Sequence, residues 1–187
     1  NFLRGMDVDI EPRKRWPAGV GRKGTIRGFD VGRAVAFADD PGWVAELQAL
    51  RLAPGDVPPD LLAGAVATLG RWAKTWPARP VCVVPLPAPD MAANRVLAEH
   101  IARKGRLPLH DVFSWYGGPA PDDSASTPVV AHLESAIRLA SGADLPAGPV
   151  LLVATTVRTR WATTVAAALL REQGASQVLV LALHLQP

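Results

Sequence analysis

Apolar residues along most of the chain follow two patterns, one typical of buried strands and the other of helices. Continuous apolar runs at 81–84 and 150–153 predict strands that are buried on both faces. Apolar positions three and four residues apart predict helices over 60–76, 90–105 and 162–173. Further strands are expected at 109–115 and 177–185, and further helices at 42–52 and 128–140. Strands that alternate with helices in this way predict an α/β fold, with a parallel sheet covered by helices on both faces.

The first 35 or so residues are rich in Gly, Pro and Arg and show little periodicity, so we expect loops with one short strand there. We divide the chain into a basic N-terminal hood, residues 1–55, and an α/β core, residues 56–187. The hood can contact phosphates, and the alternative is a solvated surface segment. Its candidate nucleic-acid contacts are Arg13, Lys14, Arg15, Trp16, Arg22, Lys23 and Arg27.

The cysteine and histidine content and the length of the apolar runs limit the classes of protein to which this chain can belong. Cys82 is the single cysteine, so no disulfide forms within the chain, and the four histidines lack the spacing of a metal site. No apolar run approaches the roughly 18 residues of a membrane span, and no signal peptide is visible. We therefore expect a cytoplasmic protein with neither a metal nor a membrane partner. Because the chain begins at Asn1 without a methionine, we also expect a piece of a longer polypeptide.

Residues 150–174, VLLVATTVRTRWATTVAAALLREQG, combine a buried strand, a polar loop and a helix that begins near Trp161. A strand that enters a helix through small hydroxyl residues presents free backbone N–H groups, which suit an anion. The alternative is an ordinary capped helix without a ligand.

This segment resembles the diphosphoribose-binding signature of type I phosphoribosyltransferases, in which an apolar strand is followed by two acids, a third acid, Thr-Gly and a helix. Over about residues 10–185 the chain more narrowly resembles the phosphoribosyltransferase-like C-terminal domain of certain bacterial RecQ-like DNA helicases. The narrower likeness rests on EPRK at 11–14, Trp16-Pro17, Gly19, GRAVA at 32–36, GRLPL at 105–109, LLV at 151–153, Trp161 and LLRE at 169–172.

The resemblance implies a Rossmann-like type I phosphoribosyltransferase fold and a parent protein that is an ATP-dependent DNA helicase in DNA repair. It implies that ATP and Mg²⁺ serve the parent motor, while this domain has no cofactor of its own. The motor's Gly-x-x-x-x-Gly-Lys-Ser/Thr loop does not occur in this sequence. The implied partners are the motor domains of the same polypeptide and DNA.

The chain departs from the family pattern at the residues that would hold the substrate. The two acid positions fall on Ala154 and Thr155, the third acid on Arg158, and the glycine on Arg160. In active relatives those carboxylates would hold the ribose hydroxyls and organise the Mg²⁺-bound diphosphate, which needs hard oxygen ligands. The loop after the first strand, PLPAP at 85–89, also carries no cation. We therefore expect a pseudoenzyme without catalytic residues.

The altered loop leaves several functions open. Its donors form a possible metal-free anion site, and the alternative is a solvated loop. The main hypothesis is a non-catalytic accessory domain that contacts DNA or the motor. The alternatives are an atypical active phosphoribosyltransferase, a nucleotide-binding regulatory domain and a protein scaffold. The candidate anion donors are Thr155, Thr156, Arg158, Thr159, Arg160, Thr163 and Thr164.

Overall fold

The computed structural model of the chain describes residues 6–121 and 125–186. The strands are β1 Val8–Ile10, β2 Val31–Phe37, β3 Cys82–Pro85, β4 Phe113–Trp115, β5 Ile137–Leu139, β6 Gly148–Val157 and β7 Ala175–Leu185. The helices are α1 Val44–Leu52, α2 Pro59–Trp72, α3 Ala92–Gly105, α4 Ser126–Ala136 and α5 Trp161–Glu172, and a 3₁₀ turn at Ala73–Thr75 follows α2.

The main sheet has five strands in the order β1-β2-β7-β6-β3. Strands β2, β7, β6 and β3 run parallel, and β1 pairs antiparallel with β2 at one edge. The predicted α/β class with a largely parallel sheet is thereby confirmed. Strands β4 and β5 form a separate antiparallel pair.

Two hydrophobic cores lie on opposite faces of this sheet. Leu152 and Ala154 of β6 pack with α4 and α5, whereas Leu151 and Val153 pack with α2 and α3. Successive side chains of a strand point to opposite faces, so a strand covered on both sides needs apolar residues at every position. This requirement explains why the 150–153 run is continuously apolar.

Two predicted elements between β3 and β6 are wrong in extent. In the predicted strand 109–115, Leu109 makes a single parallel bridge to Val83, and only Phe113–Trp115 forms a strand. The predicted helix 128–140 ends at Ala136, because the chain continues as β5, where Ile137 is buried and pairs with Trp115. These tertiary contacts override the local helical pattern.

The N-terminal residues contribute more to the sheet than a hood of loops would. Strand β2 lies inside the segment 1–55, yet it stands between β1 and β7 in the main sheet, with Ala34, Val35 and Ala36 buried. Gly32 interrupts the apolar pattern of this strand. A side chain does not fit at this position, because a Cβ on Gly32 would lie 2.9 Å from the Ile10 Cβ. Residues 31–37 therefore belong structurally to the sheet, and the polar residues before them cover α5.

Two glycines of α2 provide a matched test of this packing. A Cβ on Gly64 would lie 2.6 Å from the Cη2 of buried Trp43, whereas nothing lies within 4 Å of a Cβ on Gly70. We expect Gly64→Ala to lower the free energy of unfolding by about 1–3 kcal/mol through overpacking. Gly70→Ala should raise it by up to about 1 kcal/mol through helix propensity. Urea denaturation measures both, and equal effects of the two variants would contradict the packing of α2 against Trp43.

Candidate functional site

A cleft of about 490 Å³ opens at the carboxyl ends of β3 and β6. Open α/β sheets bind their ligands at this edge. The lining is mainly apolar, and it includes prolines, the Trp115 ring and the first turn of α5. Its walls are Pro54, residues 86–90, Ala93, Asn94, Trp115, residues 119–121, Val129, Leu133, residues 155–160, Ala162 and Thr163.

Strand β6 extends further into the predicted anion loop than the sequence indicates. Thr155 and Thr156 belong to β6, whose pairing with β7 continues to Val157 opposite Leu185. The reason is Val157, which is 2% exposed and anchors the strand end in the core. The polar connection before α5 is therefore only residues 158–160.

Both hydrogen-bond donors of Thr155 are used within the protein. Its N–H and its hydroxyl both donate to Asn94 Oδ1, at 2.8 and 3.0 Å. Buried Asn94 in turn donates from Nδ2 to the Leu86 carbonyl at 2.8 Å. Asn94 thus ties α3 to the loop after β3 and to β6. Our sequence reasoning missed this residue, although a polar side chain beside Ala93 and Leu97 on the apolar face of α3 was the available signal.

Thr156 pairs with a histidine that sequence reasoning left without a role. Its Oγ1 lies 2.9 Å from Nε2 of His184, which is 2% exposed, and Nδ1 of His184 has no hydrogen-bond partner among the described residues. Burial and, secondarily, the charge of Arg51 lower the pKa of His184 to about 4.

This threonine–imidazole pair lacks the arrangement of a nucleophile with its base. Burying an unpaired N–H costs more than burying an unpaired lone pair, so the ring proton is best placed on Nε2, donating to Thr156 Oγ1. An activated hydroxyl needs the opposite direction and a third group that orients the base. Nδ1 of His184 has no such group within residues 6–121 and 125–186.

The threonines at the start of α5 are also bonded internally. Thr163 and Thr164 are buried and donate to the Arg160 carbonyl at 2.8 and 2.6 Å. Arg160 itself adopts a left-handed conformation with φ 67°. Thr159, by contrast, is exposed and accepts the Trp161 N–H at 3.4 Å. The candidate donors are therefore close in space, but most of their hydroxyl groups do not converge on one point.

Residues 13–27 form an irregular antiparallel turn, which we call the basic hairpin. Arg15 pairs with Thr25 in an isolated bridge. The Trp16 N–H donates to the Gly24 carbonyl at 3.2 Å, and the Ile26 N–H donates to the Lys14 carbonyl at 3.1 Å. Part of the stretch expected to be loop is thus held by cross-strand hydrogen bonds.

Two of the predicted phosphate contacts, Arg13 and Arg22, also attach this hairpin to the core. The Arg13 guanidinium lies 4.3 Å from the centre of the Trp161 ring and donates to the Thr159 carbonyl at 3.0 and 2.7 Å. The Arg22 guanidinium lies 5.5 Å from the Trp16 ring and forms an ion pair with Glu172. Burial lowers the pKa of Arg13, and the nearby charge of Arg160 lowers it further. The hydrogen bond to Glu172 raises the pKa of Arg22.

Trp16 is also part of this attachment. Its ring stacks on Trp161 with centroids 6.1 Å apart and an interplanar angle of 21°. Arg22 occupies a position over the Trp16 ring. The ring is therefore engaged within the protein.

The other cations of the hairpin face solvent. Among residues 6–121 and 125–186, their side chains form no ion pair and no hydrogen bond. A cation that has no internal partner is available to an external anion. These exposed residues are Lys14, Arg15, Lys23 and Arg27.

Other candidate chemistry is sparse in the part of the chain that the structure describes. That part contains no group of three or more His, Cys, Asp or Glu residues placed to hold a metal ion. Cys82 is buried, and burial raises the pKa of its thiol to about 11. None of the helices described has the length and apolar character needed to cross a membrane.

Comparison with known proteins gives no relative: no protein-family model matches the chain, and neither a curated protein nor a solved structure is detectably similar to it.

The buried His184 generates a pH prediction. The unfolded chain takes up a proton near pH 6.5, whereas folded His184 resists protonation until about pH 4. The contribution of neutral His184 to the free energy of unfolding is therefore complete above pH 6.5. It falls by about 3 kcal/mol as the pH drops from 6.5 to 4, because the unfolded chain binds the proton more readily in this range, and it is lost below pH 4. We expect His184→Gln, which keeps a donor for Thr156, to flatten this part of the profile. Urea denaturation across this pH range compares the two, and parallel profiles would contradict the assignment.

Proposed function

We propose that this chain is a phosphoribosyltransferase-like accessory domain of a RecQ-like DNA helicase that catalyses no phosphoribosyl transfer and binds DNA through the basic hairpin. The observation that carries the proposal is the set of exposed cations on the hairpin, which lack internal partners among the described residues. A rigidly attached cationic turn of this kind suits phosphate contacts without base recognition.

The chemistry of the cleft supports a non-catalytic role. Ala154 is fully buried, and the Thr155 hydroxyl donates to Asn94, so neither position supplies a carboxylate to the cleft. Asp90 is the one carboxylate among the described lining residues, and it accepts the Ala92 N–H at 2.9 Å. A Mg²⁺-diphosphate complex needs several hard oxygen ligands, and this lining does not bring them together.

One observation favours docking against the motor or another protein as a second function. Helix α1 exposes Val44 at 51% and Leu52 at 81%, and Phe37 at the end of β2 is 44% exposed. Exposed apolar side chains are typical of a surface that meets a partner where they form one contiguous patch. This role is compatible with DNA binding by the hairpin.

The first functional prediction concerns catalysis. We expect no transfer or hydrolysis of phosphoribosyl diphosphate by the isolated domain with Mg²⁺, because Asp90 is the one carboxylate among the described lining residues and several would be needed to organise the metal. A nucleobase turnover assay and isothermal titration with the Mg²⁺-bound diphosphate measure this. Turnover above the background without protein would contradict the proposal.

The second prediction concerns the hairpin. Replacing Lys14, Arg15, Lys23 and Arg27 by Gln should weaken binding to duplex DNA by the same factor whatever the DNA sequence. The slope of log affinity against log salt should fall by about one unit for each phosphate that the protein no longer neutralises. Fluorescence anisotropy at several salt concentrations provides both quantities. The substitutions leave the attachment by Arg13, Trp16 and Arg22 intact.

A matched control removes the same charge elsewhere. Lys74, Arg103, Lys104 and Arg106 are exposed in the turn after α2 and at the end of α3. Their replacement by Gln should change the affinity and the salt slope much less than the hairpin variant does. Equal weakening by the two variants would show that binding follows net charge alone, and unchanged binding by the hairpin variant would exclude the hairpin as the contact.

A further inference from the structure

The basic hairpin begins at the mouth of the cleft. Arg13 donates to the Thr159 carbonyl, and Arg160 donates from Nη1 to the Glu11 carbonyl at 3.1 Å. Thr159 and Arg160 both line the cleft. Lys14 and Arg15 follow Arg13 directly in the chain, and both are exposed.

The two arginines at the mouth are not neutralised by the protein. Each bonds to a backbone carbonyl, and neither forms an ion pair with a carboxylate within the described residues. Their charges lie close enough for Arg160 to disfavour the charged form of Arg13. Two adjacent guanidinium groups without an acid are stabilised by an external anion such as a phosphate.

The interior of the cleft differs from its mouth because it is mainly apolar and has one aromatic wall. The Trp115 indole N–H donates to the Gly118 carbonyl at 3.1 Å, and the ring contacts His132 with centroids 6.0 Å apart. These contacts fix the ring in place. The volume of about 490 Å³ falls within the range of sites for small organic groups.

Stacking on the hairpin itself is disfavoured. The ring of its aromatic residue, Trp16, is engaged by Trp161 and by Arg22. Binding of unpaired nucleic acid commonly combines backbone cations with an aromatic surface for the bases. Here the hairpin supplies the cations and the cleft supplies the aromatic surface.

We propose that the cleft receives an unpaired base from a DNA strand whose phosphates follow Arg15, Lys14, Arg13 and Arg160. This inference rests on the proposed function, because it requires the hairpin to contact DNA. The ligand class is thus DNA with a single-stranded end next to a duplex.

The test compares two duplexes with the same number of phosphates. One carries a short thymine overhang, and the other carries an overhang of abasic sites of equal length, each placed at the 3′ or the 5′ end in separate arms. We expect the wild-type domain to bind the thymine overhang about tenfold more tightly than the abasic one for at least one polarity. Fluorescence anisotropy at fixed salt measures the ratio.

Two independent variants test the cleft. Trp115→Leu removes the stacking surface, and Ala88→Phe fills the cleft from the loop after β3. Either variant should reduce the ratio of the affinities for the thymine and the abasic overhang to about one, while the affinity for the abasic duplex stays unchanged. Tyr116→Leu is the matched control, because Tyr116 is 61% exposed and does not line the cleft. It should keep the preference.

The outcomes separate this inference from the proposed function. Equal binding of the two overhangs, with both weakened by the hairpin variant, would overturn the inference and leave DNA binding by the hairpin standing. A preference that survives both cleft variants would also overturn it. Absence of binding to any of these duplexes would overturn both proposals.

Discussion

The contact of Trp161 with the basic hairpin connects the two features that define this molecule, the cationic surface and the cleft. Trp161 is the first residue of α5 and is buried at 3% exposure. Trp16 stacks on its ring, and Arg13 lies over it while bonding to the preceding turn at Thr159. The hairpin is also held by buried Val20, by Ile26 packed against the core and by the ion pair of Arg22 with Glu172. The contact with Trp161 is the part of this attachment that lies next to the cleft, because Thr159 lines the cleft and accepts from Arg13.

The cleft itself is organised by hydrogen bonds that occupy its polar groups. Asn94 takes both donors of Thr155, His184 pairs with Thr156, and the Arg160 carbonyl accepts from two threonines of α5. Buried polar groups stabilise a fold only when they are paired, and here the hydrogen bonds of these groups are made within the protein. What the cleft still offers is an apolar interior and arginines at its edge. This combination favours a flat organic group attached to a phosphate over a metal-bound diphosphate.

The cleft and the cationic hairpin lie side by side because of the α/β architecture. The carboxyl edge of the parallel strands still forms a cleft, because the strand order and the helices that follow each strand create it regardless of side-chain chemistry. The described lining residues of this cleft include two arginines, Arg158 and Arg160, and one carboxylate, Asp90. A surface rich in unpaired cations gains affinity for polyanions through the release of counterions. The DNA strand that we propose as ligand would use both the cleft and the hairpin.

The sequence by itself determined the elements whose pattern is local. The apolar runs of β3, β6 and β7 and the helical stripes of α2, α3 and α5 follow from burial on both faces or on one face, and the structure has them within a few residues. Tertiary structure decided the place of β2 in the sheet and the end of α4, because strand partners such as Leu179 opposite Val31 lie far apart in the chain. It also decided which cations are exposed. Arg13 and Lys14 are neighbours of one chemical type, and only the contact of Arg13 with a residue 146 positions away distinguishes them. Such long-range contacts leave no periodic signal in the sequence, since a single residue rather than a repeating face makes them.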